Sequence, residues 1–144
     1  MKQIFQSLKN GQIEVPEVPT PKAMKGEVLI QTITSLLSSG TERMLVEFGQ
    51  STIFSKARGQ PDKVRMVLEK FKTDGFVPTM EKVLEKLDRP LPMGYCNVGK
   101  VIGVGSEVNS FQIGDRVISN GYHAEVVSVA TNLCAKIPNQ VTDE

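Results

Sequence analysis

The chain has 144 residues, with 17 basic and 16 acidic side chains and a formal net charge of +1. This near balance of charge creates no field that would favour nucleic acid or a membrane surface as a partner. The length is typical of one domain whose core needs no metal or disulfide. No apolar run approaches the roughly 20 residues of a membrane span. The N-terminus turns polar too soon for a signal peptide. We therefore expect a reduced, cytoplasmic protein.

The first 37 residues are predicted to be β-rich. The pair Asn10-Gly11 lies between two short apolar runs. It favours a type I′ hairpin, because both turn positions of that type need a positive φ. Prolines at 16, 19 and 21 keep the next segment extended and out of a central strand. The β-branched run VLIQTITSLL, residues 28–37, then predicts a buried strand.

A helix is predicted to follow this strand directly. The order SGTE over residues 39–42 fits a capping box, in which Ser39 caps the helix and Glu42 reaches back to it. Gly49 would end the helix. Its apolar face would carry Met44, Leu45 and Phe48.

Residues 55–89 predict a helical hairpin. Pro61 would begin its first helix and Gly75 would end it, whereas Thr79 would cap a second helix that stops before Pro90. We expect this insertion to act as a lid over a substrate cleft or to pack against a further domain. The apolar stripe of the first helix consists of Val64, Val67, Leu68 and Phe71.

The most informative stretch is residues 99–117, GKVIGVGSEVNSFQIGDRV. A β-branched run meets Gly105-Ser106, and after a polar segment a second apolar stretch surrounds Gly114-Asp115-Arg116. We interpret it as two strands joined by a tight excursion, with glycines where the backbone bends or approaches another segment closely. Further strands are predicted within residues 117–130 and 133–138, so the chain is predicted to be mainly β.

Three segments together resemble a known family: KGEVLIQTITSLLSSGTE, PLPMGYCNVGKVIGVGSEVNSFQIGDRV and YHAEVVSVATNLCAKIPNQVTDE. They are similar to the N-terminal, substrate-side domain of medium-chain dehydrogenases/reductases of the zinc-type alcohol dehydrogenase kind. The resemblance implies a GroES-like, partly open β-barrel over residues 1–144, with the helical hairpin as an insertion. The GTER turn and the RPLPMGY exit further resemble bacterial two-part oxidoreductases from surface-polysaccharide gene neighbourhoods.

The zinc-binding pattern of that family is missing. Where its zinc-dependent members have a cysteine this chain has Ser39, and where they have Gly-His-Glu it has Gly94-Tyr95-Cys96. A catalytic zinc needs three protein ligands of the Cys, His or carboxylate type. Cys96 supplies one of them, and the four-cysteine lobe of the structural zinc is absent too, so we expect no metal.

The resemblance leaves three candidate catalytic residues: Ser39, Thr41 and Tyr95. Thr41 matches the hydroxyl that passes the substrate proton in the zinc enzymes, although it could also only satisfy a backbone group. Tyr95 could act as a general acid or hydrogen-bond a carbonyl oxygen, whereas an ordinary half-buried tyrosine is the more common situation. Ser39 fits a helix cap better than a reacting group.

The remaining residues that could suggest chemistry are interpreted as structural. His123 is the single histidine, and the strand period places it on one face with Glu125 and without a third ligand. Cys134 is expected to be a buried small hydrophobe. Gly103 and Gly105 lack the third glycine and the helix of a dinucleotide fingerprint, so no cofactor-binding residue is predicted.

We therefore expect the substrate-side part of a longer NAD(P)-dependent oxidoreductase, whose nucleotide-binding domain lies outside this chain. Alone, the chain should neither bind NAD(P) well nor turn over a substrate. The subfamily resemblance implies a small-molecule substrate such as a sugar or sugar nucleotide. Two alternatives remain: a zinc-dependent alcohol or polyol dehydrogenase with a site rearranged around Cys96, and a non-enzymatic GroES-like binding or assembly module.

Overall fold

The computed structural model describes residues 1–8, 10–51, 55, 58–75, 77–78, 83, 85 and 88–143. The chain divides into two compact units. The first, mainly β, consists of Met1–Phe5, Glu14–Glu42 and Pro92–Glu144, and the second, mainly helical, of Gln6–Ile13 and Arg43–Leu91.

Most elements of the described chain are β-strands. The described chain also contains two helices, α1 (Ser39–Gln50) and α2 (Pro61–Asp74), and a short 3-10 turn at Thr131–Leu133. The strands are β1 (Phe5–Gln6), β2 (Ile13–Glu14), β3 (Glu27–Ser35), β4 (Leu91–Pro92), β5 (Asn97–Val104), β6 (Arg116–Ser119), β7 (Val126–Ala130) and β8 (Cys134–Lys136).

A five-stranded antiparallel sheet forms the first unit. Its strand order is β7-β3-β5-β6-β8, and the two end strands do not pair with each other, so the sheet stays open. The short strands form a second sheet in the order β2-β1-β4. The prediction of a mainly β fold, a partly open barrel with a helical insertion, is confirmed.

One face of the large sheet makes the core. Side chains alternate across a strand, so every second residue of β3, β6 and β7 points to the same side. Val28 and Ile30 of β3 are fully buried, and the neighbouring strands add residues of the same branched, apolar type. The cluster consists of Val28, Ile30, Val101, Val117, Ala124, Val127 and Val129.

The stretch 99–117 folds as the sequence predicts, as two strands joined by a tight excursion. β5 ends at Val104, and the Gly105 backbone then packs so closely on Met24 that an added Cβ would overlap its carbonyl oxygen. Glu107 adopts a φ of 66° in the excursion. Gly105 is therefore required for close backbone approach, as predicted.

The two charged residues of the GDRV segment pair with distant partners, not with each other. Asp115 accepts a hydrogen bond from Lys136 Nζ at 2.8 Å and another from the Gln112 backbone at 2.9 Å. These contacts, with Lys136 the larger cause, hold the pKa of Asp115 below its usual value. Arg116 donates to Asp143 at 2.6 Å and so fastens the end of the chain to β6.

The predicted type I′ turn at Asn10-Gly11 is wrong. Gly11 has a φ of 73°, but Asn10 is not among the described residues with a positive φ. The loop closes instead through Ser7 N–H to Gln12 O at 2.8 Å, and the Asn10 side chain accepts the Gln12 N–H at 2.9 Å. A longer loop of this kind needs only one residue with positive φ.

Helix α1 begins at Ser39, one residue before the start predicted from a cap at Ser39, and part of its predicted apolar face is exposed. Met44, predicted to be apolar core, is 60% exposed. Glu42 and Gly49 are buried instead. The helix therefore points a carboxylate inward, which the apolar periodicity could not indicate.

Helix α2 has the predicted ends. It starts at Pro61 and stops at Asp74, before Gly75 with a φ of 88°. Within its predicted apolar stripe, Leu68 is 53% exposed. The predicted second helix of the hairpin, with its cap Thr79, lies largely outside the described residues.

Cys134 packs against the core cluster and is partly buried. This burial disfavours the charged thiolate and raises the pKa of the Cys134 thiol to about 11. The predicted role as a small apolar residue agrees with this surrounding.

The close approach at Gly105 can be tested by substitution. Gly105→Ala would force its Cβ against the Met24 carbonyl, so we expect a loss of about 3 kcal/mol in the free energy of unfolding, measured by urea denaturation. Gly103→Ala is the matched control, because its Cβ would meet only Leu29, at 3.4 Å. Equal stability of the two variants would contradict the role assigned to Gly105.

Candidate functional site

The two segments that carry the predicted site residues both lie near the end of β3. The β3–β5 pairing places Ser35 opposite Asn97, and the Leu36 N–H donates to Cys96 O at 3.0 Å. Helix α1 begins four residues after Ser35. The first turn of α1 and the segment 94–96 are thus brought to one edge of the sheet.

A buried histidine is the centre of this region. His123 is 8% exposed, and its Nε2 lies 3.1 Å from both carboxylate oxygens of Glu42. Its Nδ1 lies 2.8 Å from Ser35 Oγ. Both ring nitrogens are therefore occupied by hydrogen-bond partners.

Glu42 provides the charged end of this network. It is 4% exposed, and its Oε1 also accepts the Ser38 N–H at 3.2 Å. The predicted capping box is thus displaced by one residue, because the helix begins at Ser39 and the carboxylate reaches the backbone of Ser38. A buried carboxylate needs such partners, since desolvation would otherwise cost several kcal/mol.

The backbone around His123 fixes the position of its ring. The His123 N–H donates to Met93 O at 2.8 Å, and its carbonyl accepts the Ile4 N–H at 2.9 Å. Gly94 has a φ of 89°, and a Cβ there would lie 2.7 Å from His123 Cγ. Gly94 therefore serves both the backbone conformation and the approach to the imidazole.

A second buried network supports the segment that carries His123. Asn97 is fully buried, donates to Thr32 Oγ1 at 2.8 Å and accepts from Ser119 Oγ at 2.5 Å. Ser119 Oγ in turn accepts the Gly121 N–H at 3.2 Å. The chain is thereby held two residues before His123.

The predicted catalytic residues lie at the surface of this region. Ser39 and Thr41 are exposed in the first turn of α1, and Tyr95 is 43% exposed next to Gly94. Thr41 Oγ1 accepts from Ser38 Oγ at 3.4 Å. Thr41 and Tyr95 are thus the sequence neighbours of Glu42, whose carboxylate contacts the imidazole, and of Gly94, whose backbone lies close to the ring.

Sequence reasoning missed Ser35, Glu42 and His123 as a group. His123 was placed on one face with Glu125, but Glu125 is exposed and accepts the Lys2 N–H at 2.8 Å, whereas His123 is buried. The residues of the group are separated by 81 and 88 positions. No periodic pattern links such distant residues; the only signal was the polar SGTE segment at the start of α1.

The donor set at this site does not fit a zinc centre of the usual kind. No three His, Cys, Asp or Glu side chains gather into a possible metal-binding group among the residues that the structure describes. The single imidazole could bind a metal only after giving up Glu42 or Ser35. Cys96 is a free thiol and belongs to no such group of three in the described chain.

One family model matches part of the chain. Residues 70–139 match the family model of the alcohol dehydrogenase GroES-like domain. The matched part of the chain, residues 70–139, is thus similar to the GroES-like domain of alcohol dehydrogenases. No curated protein sequence matches the chain significantly.

Solved structures show that the GroES-like fold extends over nearly the whole chain. Quinone oxidoreductase from Coxiella burnetii covers 99% of it with a TM-score of 0.64 and 21% identity. The Escherichia coli quinone oxidoreductase complexed with NADPH covers 99% with a TM-score of 0.64 and 14% identity. The 2R,3R-butanediol dehydrogenase from Bacillus subtilis covers 99% of the chain with a TM-score of 0.62 and 18% identity. The chain spans 38%, 35% and 42% of these three proteins, respectively.

A separate groove of about 510 Å³ runs along β7 in the GroES-like domain. Its walls include Phe5, Pro19, Tyr122 and Val129, and none of the candidate catalytic residues lines it.

Within the described ranges, neither helix has the length and hydrophobicity of a membrane span.

The buried pair should contribute strongly to stability. Glu42→Ala removes the partner of a buried imidazole and leaves a cavity, so we expect a loss of about 2–4 kcal/mol in unfolding free energy by denaturant titration. Glu47→Ala in the same helix is the control, since its pair with Arg43 is exposed and contributes little to stability. A loss at Glu42 no larger than at Glu47 would contradict the assigned pairing.

Proposed function

We propose that this chain is the substrate-side domain of an NAD(P)-dependent oxidoreductase that works without a catalytic zinc. The family match and the likeness to quinone oxidoreductases and a butanediol dehydrogenase support the oxidoreductase class. The observation that carries the zinc-free part is the state of His123, whose two ring nitrogens are both engaged. Ser39 and Tyr95 stand where the zinc enzymes of the resembling family have ligands.

The exposed hydroxyls of the site would contact the substrate. Thr41 and Tyr95 lie at the surface beside the buried network, where their hydroxyls can orient or polarise a substrate oxygen. Ser39, at the first position of α1, adds a further hydroxyl to the same surface. A polyhydroxylated substrate such as a sugar or sugar nucleotide suits this set, and the subfamily resemblance supports it.

The nicotinamide cofactor would be held by a further domain. The bound nicotinamide supplies or accepts the hydride. The Escherichia coli quinone oxidoreductase of similar fold is complexed with NADPH. This chain has no dinucleotide fingerprint of its own, so its residues would bind the substrate and handle the proton.

We further propose that the protein resides in the cytoplasm. Both cysteines, Cys96 and Cys134, are free thiols, as is usual in a reducing compartment.

Metal analysis tests the zinc-free proposal. We expect clearly substoichiometric zinc in the chain purified after expression with added zinc, measured by plasma mass spectrometry, because the ligand set is incomplete. Cys96→Ala should change nothing. One zinc per chain that is lost on Cys96→Ala would favour the alternative, a zinc dehydrogenase with a rearranged site.

Cofactor titration tests whether NAD(P) binding depends on a further domain. We expect no saturable change in NADPH fluorescence with the isolated chain up to about millimolar cofactor, since tight dinucleotide binding needs the Gly-rich turn and helix N-terminus that this sequence lacks. Micromolar binding would contradict the substrate-side assignment. A stable ring-shaped oligomer in solution would favour an assembly module instead.

A further inference from the structure

The arrangement Ser35–His123–Glu42 has the order of a hydroxyl, an imidazole and a carboxylate. Ser35 Oγ lies 2.8 Å from Nδ1, and both Glu42 oxygens lie 3.1 Å from Nε2. Imidazole and carboxylate are both buried, with side-chain exposures of 8% and 5%, whereas Ser35 is partly exposed at the end of β3. The hydroxyl is thus the member of the group that a ligand can reach.

The hydrogen-bond partners determine where the imidazole proton lies. An ionised carboxylate only accepts hydrogen bonds, and Glu42 also accepts from the Ser38 N–H, so its partner Nε2 is the donor. In the neutral ring Nδ1 then has no proton and accepts from the Ser35 hydroxyl. The orientation is that of an activated hydroxyl, in which the ring can take the serine proton and the carboxylate stabilises the resulting imidazolium.

We infer that Ser35 is a base-activated hydroxyl and the reactive group of a proton-accepting site, with His123 as the base that accepts its proton and Glu42 as the positioning residue. Its ligand is a molecule that presents a hydroxyl or an electrophilic carbonyl at the edge of β3. With an alcohol, the substrate O–H proton moves to Ser35 Oγ while the Ser35 proton moves to His123 Nδ1. In the proposed oxidoreductase, on which this last role rests, a nicotinamide held by the further domain would supply the acceptor for the carbon-bound hydrogen as hydride, so charge and protons balance.

The nearby polar groups do not compete with this role. The Thr41 hydroxyl contacts Ser38, and Asn97 is satisfied by Thr32 and Ser119. Glu125 lies on the exposed side of the chain and contacts the Lys2 backbone. Glu42 is the carboxylate that contacts the imidazole in the described structure.

Acylation by p-nitrophenyl acetate tests the inference on the chain itself, without cofactor or substrate. In this reaction Ser35 Oγ bonds to the acetyl carbon, p-nitrophenolate leaves, and the serine proton passes to His123 Nδ1. Peptide mass spectrometry should find Ser35 acetylated about 100-fold faster than the exposed Ser110. Glu42→Gln should slow this labelling by about tenfold or more, and Ser35→Ala should abolish it, while Ser110→Ala leaves the rate at Ser35 unchanged.

Nitrogen NMR provides an independent measurement, because the chain has a single histidine and hence a single pair of ring-nitrogen signals. In the neutral ring we expect the proton on Nε2 and an unprotonated Nδ1, with Ser35→Ala shifting the Nδ1 signal more than the Nε2 signal. A proton on Nδ1, or Ser35 labelling that is absent or unaffected by Glu42→Gln in a folded variant, would overturn the inference. These outcomes need no cofactor or metal, so they are separable from failure of the proposed oxidoreductase function.

Discussion

The hydrogen bond between Glu42 and His123 is the interaction on which the candidate site depends. A carboxylate in the sheet unit can stay buried only when strong donors replace its hydration. His123 Nε2 and the Ser38 N–H supply those donors at 3.1 and 3.2 Å. The same contact ties the first turn of α1 to the segment that precedes β7. Because Ser35 occupies the other ring nitrogen, the orientation of one imidazole links the end of β3, the start of α1 and the β6–β7 connection.

Antiparallel register makes this contact possible. Pairing of β3 with β5 aligns Ser35 with Asn97, and pairing of β5 with β6 aligns Asn97 with Ser119. The three side chains Thr32, Asn97 and Ser119 then form a satisfied polar network within the sheet. Such a network specifies one arrangement, since a shift of register by one residue would place these polar groups on the other face. The strand ends, and with them Ser35 and the segment that carries His123, are thereby fixed.

A GroES-like domain with this centre offers a different basis for chemistry from a metal site. Zinc polarises a substrate oxygen by its own charge. In the proposed function, the exposed hydroxyls beside the buried histidine–carboxylate pair would hold the substrate oxygen. The Ser35 hydroxyl, which contacts the imidazole, would accept its proton. The likeness to the two quinone oxidoreductases and the butanediol dehydrogenase concerns the fold of this domain, which spans 35–42% of the three proteins. The chemistry proposed here therefore rests on the contacts of Ser35, Glu42 and His123.

Local physics determined much of this protein from its sequence. The β-branched run after Gly26 formed β3, Pro61 and Gly75 bounded α2, and Gly105 marked a close backbone approach. These features depend on neighbours along the chain, so pattern and residue type suffice to predict them. The resemblance of the sequence also predicts that Ser39 and Tyr95 replace zinc ligands of that family, and this stays a prediction. Only the tertiary structure decided that Glu42 turns inward and meets His123, because that contact joins residues 81 positions apart and no local periodicity encodes it.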